Sequence, residues 1–349
     1  MSKKKKSKSV AEQPKTKSKI WLKVLKCFGL AVVVCLLVIF GIYLFFDKIT
    51  DQQSDDATDD MVAFFNVIHD NDHCYIDLLQ GENSYNDHQT FFSIDTGSAM
   101  SQITPATLDF LREKGYAIDE RFAPSIGYDA LGNLDLRTKI YQISFPQKGG
   151  IAHLHTGDST RSLETKSVTI KKVRFALGRS NLLGADFLNK YSVEICHNRR
   201  YMILHKNNPS GYETKIELKR FDWKLGDIGG RYLWVFPMNG HSHKFFVDTG
   251  RGNLPIQLPH KDYKGDKPLV HIFTVITSYA NGGKEIWGVV DTDSIVIGDH
   301  HIVSSVYYLE GDYKSPYSVN PLQMYERRGQ LNEAFDILFD LGHNAMFLR

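Results

Sequence analysis

Asp95-Thr96-Gly97 and Asp248-Thr249-Gly250 each follow a short apolar, β-prone stretch, "FFSI" before the first and "FFV" before the second. Either tripeptide alone reads as a turn, because Asp and Gly are ordinary turn formers. Two copies suggest chemistry. Two carboxylates brought into contact cannot both ionise cheaply, so they share one proton and titrate as a pair. One then serves as base toward a water, and the other as acid toward the group under attack. Gly97 and Gly250 permit a tight backbone whose N–H groups reach the carboxylates. The hydroxyls of Thr96 and Thr249 are suited to tie two loops together across an axis. Ser98 follows the first tripeptide and Arg251 the second.

The elements that must position these residues are mostly strands. "HCYIDLL", "TFFSID", "KIYQISF", "SVTIKKVRFAL", "YMILH", "YLWVFPM", "HKFFVD", "HIFTVITSY", "IVIGDHHIVSSVYYL" and "AMFLR" are β-branched or aromatic and bounded by turn residues. Helix-like pieces are few: 105–115, 184–191 and 330–335. The chain also repeats itself. "YLWVFPMNGHSHKFFVDTG" (232–250) parallels 74–97, both reading strand, polar turn, strand, Asp-Thr-Gly. "KSVTIKKVRFAL" (166–177) parallels "DSIVIGDHHIVS" (293–304), and "SVEICHNRRYMILH" (192–205) matches "DILFDLGHNAMFLR" (336–349) position for position. The expectation is a mainly β protein of two related lobes, 61–208 and 215–349, joined by a Pro/Gly-bearing linker at 209–214. A pseudo-two-fold between the lobes would bring Asp95 and Asp248 together within one monomer.

On these residues the chain resembles the pepsin/retropepsin-type aspartyl proteases, with two retropepsin-like lobes fused in one chain. In that family an apolar pair followed by Asp-Thr/Ser-Gly supplies each catalytic Asp. The first copy also matches the family's later element, an apolar pair and Gly leading into a short helix, at "NLLGADFLNKYSVEI" (181–195). The resemblance covers about 61–349. It implies a bilobal, closed-β aspartic-protease-like fold and peptide hydrolysis by a water held between Asp95 and Asp248. It also implies support from Thr96, Gly97, Ser98, Thr249 and Gly250, no cofactor, and an extended peptide in the inter-lobe cleft. Counting back from Ser167 and Ser294 places covering hairpins at about 151–165, with Thr156 and Gly157 at the tip, and 273–290, with Asn281, Gly282 and Gly283 at the tip. Two departures stand out: Arg251 replaces the usual small residue, and the second copy has no Leu-Gly, with Arg328 falling opposite Gly184. They admit a second expectation, a peptide-binding or scaffold protein of the same fold without activity.

The 349 residues carry a formal net charge of +2, unevenly spread. Residues 1–26 hold ten Lys and one Glu, and the remaining 323 hold 32 Lys and Arg against 39 Asp and Glu. Nothing aromatic or arginine-rich interleaves the basic tail, so it does not suggest nucleic-acid binding. "CFGLAVVVCLLVIFGIYLFF" (27–46) has no charge in twenty residues, about the length that spans a bilayer's ~30 Å hydrocarbon core. Bulky residues at its end argue against signal-peptide cleavage. The expectation is an uncleaved anchor with a cytoplasmic tail (1–26), an acidic tether (47–60) and an extracytoplasmic remainder. The short segment before residue 61 and the few cysteines favour a bacterial periplasm or cell surface. Cys74 and Cys196 could form a disulfide or remain two buried thiols.

Other motifs are weaker. Asp291 and Asp293 form an Asp-x-Asp like that of metal-dependent glycosyltransferases, but no nucleotide-binding βαβ pattern accompanies it. His153/His155 and His241/His243 could each face one side of a strand, without an evident third ligand, so no metal site is expected. No phosphate-binding Gly-rich loop and no Gly-x-Ser-x-Gly elbow occurs.

Overall fold

Period-two alternation organises the strand that leads to the first Asp-Thr-Gly. The computed structural model describes residues 26–38, 61–70, 73–79, 90–128, 134–156, 159–196, 200–221, 230–238, 241–251, 256–263, 269–275, 284–309 and 317–349. In the strands His73–Asp77 and Phe91–Ile94, Cys74, Ile76, Phe92 and Ile94 are buried and their neighbours are partly open. The two strands are antiparallel, with Ile76 opposite Phe92, so their apolar residues share one face. Phe92 meets Phe175 at 5.3 Å between ring centroids, and Phe145 closes the cluster at 6.1 Å from Phe175. The second copy builds its own cluster from Trp234, Phe236 and Phe245, with centroid separations of 4.4 and 4.7 Å. Each Asp-Thr-Gly therefore leaves a strand anchored by buried aromatic rings.

The connectivity around the two tripeptides is the same. Leu182–Leu183 lies parallel to Phe91–Ile94 on one side and antiparallel to Gln102–Ile103 on the other. Gln102–Ile103 in turn runs parallel to the end of Val168–Leu177. In the second copy, Tyr317–Val319 lies parallel to His241–Val247 and antiparallel to Ile256–Pro259, which runs parallel to His300–Leu309. Flanked on both sides, Leu182 and Leu183 are both buried and show no alternation, the pattern of a strand inside a sheet.

A six-stranded sheet joins the two copies. Its order is Met61–Asp70, Tyr201–His205, Ser192–Cys196, Asp336–Asp340, Ala345–Leu348, Thr214–Phe221. Its centre pairs Val193 with Phe339, Glu194 with Leu338 and Ile195 with Ile337. Met202 faces Phe65 in one outer pair, and Met346 faces Ile216 in the other. The strands are mainly β-branched or aromatic, and the whole of Ser54–Arg349 forms one unit.

Two expectations are corrected here, and one left open is decided. Residues 330–335 are not helical: Leu331–Ala334 is a strand paired with Tyr325–Arg328 across Gly329, whose φ is 62°. Leu331 is exposed, and the piece has no apolar face to pack as a helix. Cys74 and Cys196 are both buried free thiols, and burial pushes Cys74 up to about 12. The hairpin that follows the first tripeptide in the same order as Val270–Val275 and Lys284–Ile297 is Ile118–Tyr128 with Leu134–Gln147. Gly150–Thr156 and Ser159–Thr165 form a separate two-stranded sheet inserted between Leu134–Gln147 and Val168–Leu177. The second copy has only the tight turn at Gly298-Asp299 there. Thr156 ends its strand, whereas Gly157, Asn281, Gly282 and Gly283 lie outside the described residues.

The other unit, Met1–Gln53, is described only as a helix over 26–38. Thirteen residues rise about 20 Å, and among the described residues no helix is long and apolar enough to cross a membrane. Residues 39–46 of the expected span, the tail to residue 25 and the segment 47–60 lie outside the described residues.

Candidate active site

Asp95 leaves its strand with its N–H donated to the Leu183 carbonyl at 3.0 Å. Its Oδ1 accepts the N–H groups of Gly97 at 2.9 Å and Ser98 at 3.0 Å. Asp248 repeats the anchor, its N–H donating to the Val319 carbonyl at 2.9 Å. Its carboxylate accepts the Gly250 N–H, and the two carboxyl groups stand within hydrogen-bonding reach of each other. Both aspartates keep partial contact with solvent.

The threonines hold the two turns together. Thr96 donates its hydroxyl to the Val247 carbonyl at 3.0 Å, and Thr249 donates its own to the Ile94 carbonyl at 2.7 Å. Each hydroxyl oxygen also accepts the other threonine's N–H, at 3.1 Å in both directions. Thr96 and Thr249 are buried, so these four bonds satisfy groups that water cannot reach.

The glycines are required by close approach. A Cβ on Gly97 would stand 2.4 Å from Cγ of Asp248, and one on Gly250 would stand 2.4 Å from Cγ of Asp95. Each turn is thus shaped around the opposite carboxyl group. Farther back, Gly184 accommodates the 98–101 loop, since a Cβ there would meet the Met100 backbone at 2.6 Å. Asp186 accepts both the N–H and the hydroxyl of Ser101 at 2.7 Å, and the Ser101 hydroxyl oxygen accepts the Gly184 N–H at 3.0 Å.

The residue opposite Gly184 is Asn320, not Arg328. Val319-Asn320 stands where Leu183-Gly184 stands, and the buried Asn320 side chain accepts the Leu322 N–H at 3.1 Å. The Tyr325–Ala334 hairpin lengthens the stretch before Asp336, so counting back from the C-terminal match stops short. Arg328 is a surface partner of Glu326 and Glu333.

Burial pushes Asp95 up to about 7, and the charge of Asp248 adds to the effect. Burial also raises Asp248, but the charges of Arg251 and Arg231 oppose the rise. Arg251 closes the short helical turn Thr249–Arg251, and its Nη2 donates to Oε1 of Gln257. Arg231 begins the strand Arg231–Met238 and lies over the Phe246 ring, 5.7 Å from its centroid. Arg231 carried no sequence signal, because its place depends on the pairing of Leu233 with Phe246. Asp186 and Gln257 were equally silent, although Asp186 lies two residues beyond the legible Gly184.

Among the described residues no group of three or more His, Cys, Asp or Glu could hold a metal ion. His241 is exposed on the strand His241–Val247, His153 and His155 belong to Gly150–Thr156, and Asp291 and Asp293 belong to Lys284–Ile297. Compared with known proteins, the chain matches no family and no curated sequence.

Proposed function

We propose that the chain is a membrane-anchored aspartic endopeptidase of two retropepsin-like lobes, its Asp95/Asp248 pair activating a water outside the cytoplasm. The observation that carries this reading is the reciprocal approach of each tripeptide glycine to the other tripeptide's carboxyl group. Such a fit brings two carboxylates to one point, where they must share a proton. The nearby guanidinium charges leave Asp248 the more readily ionised member. It takes a proton from water as the oxygen attacks the scissile carbonyl, while Asp95 gives its proton to the carbonyl oxygen. Collapse of the tetrahedral adduct breaks the C–N bond: the proton held by Asp248 passes to the leaving nitrogen, and a hydroxyl proton of the adduct returns to Asp95, restoring the pair. No cofactor takes part. A peptide would lie extended between the hairpins 118–147 and 270–297, hydrogen-bonded as an added strand.

Arg251 favours a second reading, in which the fold binds peptides without cutting them. A cation beside Asp248 favours the doubly ionised pair, which has no proton to give.

The test is cleavage of a diverse peptide library by the full chain in detergent, with Asp95→Asn and Asp248→Asn alongside. Cleavage is expected at mildly acidic pH and should decline as the pH rises through about 7, where Asp95 loses its proton. Each Asn variant should lose about a thousandfold or more. A silent wild type, or variants as active as it is, would reject the enzyme.

A further inference from the structure

We infer that the cleft takes a substrate carboxylate beside the scissile bond, held by Arg231 and Arg251. The inference rests on the peptide-cleft reading above and supplies its substrate class.

Both cations belong to the second copy of the repeat, and the first has no counterpart. By register with the tripeptides, His73 stands where Arg231 stands, because Tyr75 faces Ser93 as Leu233 faces Phe246. Ser98 stands where Arg251 stands, and its hydroxyl only donates to the Met100 carbonyl at 2.9 Å. The cleft is therefore cationic on one side of the dyad.

The charge of each guanidinium acts on Asp248, but neither is locked to it. Among the described residues no carboxylate forms an ion pair with Arg231 or Arg251. Among the same residues the buried Nε of each meets no hydrogen-bond acceptor. A buried, unmet donor on a charged group is costly, commonly ~1–3 kcal/mol or more, so a pair of them beside one site calls for an anion. The dyad fills that role only in part, because a pair that shares a proton carries one negative charge against two guanidiniums.

The two side chains are also held in place. Gln257 is buried on the strand Ile256–Pro259, and its Oε1 fixes one arm of Arg251, leaving Nε on another edge of the planar group. The Phe246 ring supports Arg231 from one face, and the donors of the planar group lie along its edge rather than on that face. A planar carboxylate is matched to such forks. It can come from an Asp or Glu side chain near the cut or from a free peptide C-terminus.

The test compares peptides that differ by one group. Glu is exchanged for Gln at each position around a cleaved bond, and C-terminal acids are compared with their amides, using the full chain in detergent. At one position, or at the C-terminus, the carboxylate is expected to raise kcat/KM about tenfold or more over its neutral isostere. Which set responds identifies the source. Arg251→Gln and Arg231→Met should each shrink that ratio, mainly through KM, and Arg231→Lys should restore part of it. Should Arg231→Met not fold, Arg231→Lys and Arg251→Gln carry the comparison. Arginines that only tune Asp248 would move the pH profile equally for acid and amide and leave the ratio near one. A ratio near one throughout, or one unchanged in both variants, overturns the inference. If no peptide is cut, the enzyme reading fails alone. Fluorescence anisotropy of the same labelled peptides then decides the carboxylate site, tenfold tighter binding of acids supporting it and equal or absent binding rejecting it.

Discussion

Asp95 carries a carboxyl group that the folded chain holds in its protonated form well above the usual range, burial being the main cause and Asp248 the second. The folded pKa of about 7 exceeds the ~3.9 of an unfolded Asp, so the folded state binds the proton more tightly. Its contribution to stability is complete below about pH 4 and is lost as the pH rises through about 7. Wild type should therefore be less stable at pH 8 than at pH 5. Asp95→Asn should remove most of that difference and be the more stable protein at pH 8, by on the order of a few kcal/mol. Thermal unfolding of both proteins across pH 4–8 checks this, and parallel curves would contradict it. Placing a carboxyl where its charge is disfavoured is how a site keeps an acid available near neutrality.

The turns act as one element because Thr96 and Thr249 bind each other's backbone. Thr96→Val or Thr249→Val keeps the side-chain shape and removes two cross-repeat bonds. Each would leave a buried N–H and a buried carbonyl unmet, for a loss of about 2–4 kcal/mol in urea unfolding. The double variant should lose less than the sum of the singles, because the four bonds tie the same two turns and losing one pair already loosens the other. Additive losses would show that the turns are held independently. The Asp186–Ser101–Gly184 network supports the first turn from behind. Asn320 offers a shorter brace in the second.

The six-stranded sheet unites the two copies across the whole unit, and its middle strands carry a buried polar cluster. Glu194 meets His205 at 2.7 Å and accepts from Tyr212 and Arg349, each at 3.0 Å. Arg349 also reaches Asp336 at 3.1 Å, so the cluster spans both central strands. Burial pushes Glu194 up, but the His205 and Tyr212 bonds and the Arg349 charge outweigh it and the net shift is downward. A lowered carboxyl pKa stabilises above the unfolded value, ~4.3, and that contribution is lost as pH falls through the folded value. Glu194→Gln should cost about 3 kcal/mol at pH 7 and markedly less near pH 3, as followed by urea unfolding. A cost independent of pH would mean that packing rather than charge holds this seam.

Local pattern alone determined a good deal. β-Branched and aromatic runs bounded by turn residues marked the strands, and the repeated Asp-Thr-Gly marked the two candidate site points, because both signals are written in consecutive residues. Position-for-position similarity of 192–205 and 336–349 marked corresponding strand pairs of the two copies, but not their joining in one sheet. Tertiary structure decided what depends on distant segments meeting. Gly97 lies against Asp248 although 151 residues separate them. Arg231 reaches the dyad only through the register of Leu233 with Phe246. Asn320 displaces Arg328 opposite Gly184 because an inserted hairpin changes the count without changing the local strand pattern. Spacing along a chain is silent about such insertions, whereas parallel pairing and buried hydrogen bonds tolerate one partner only.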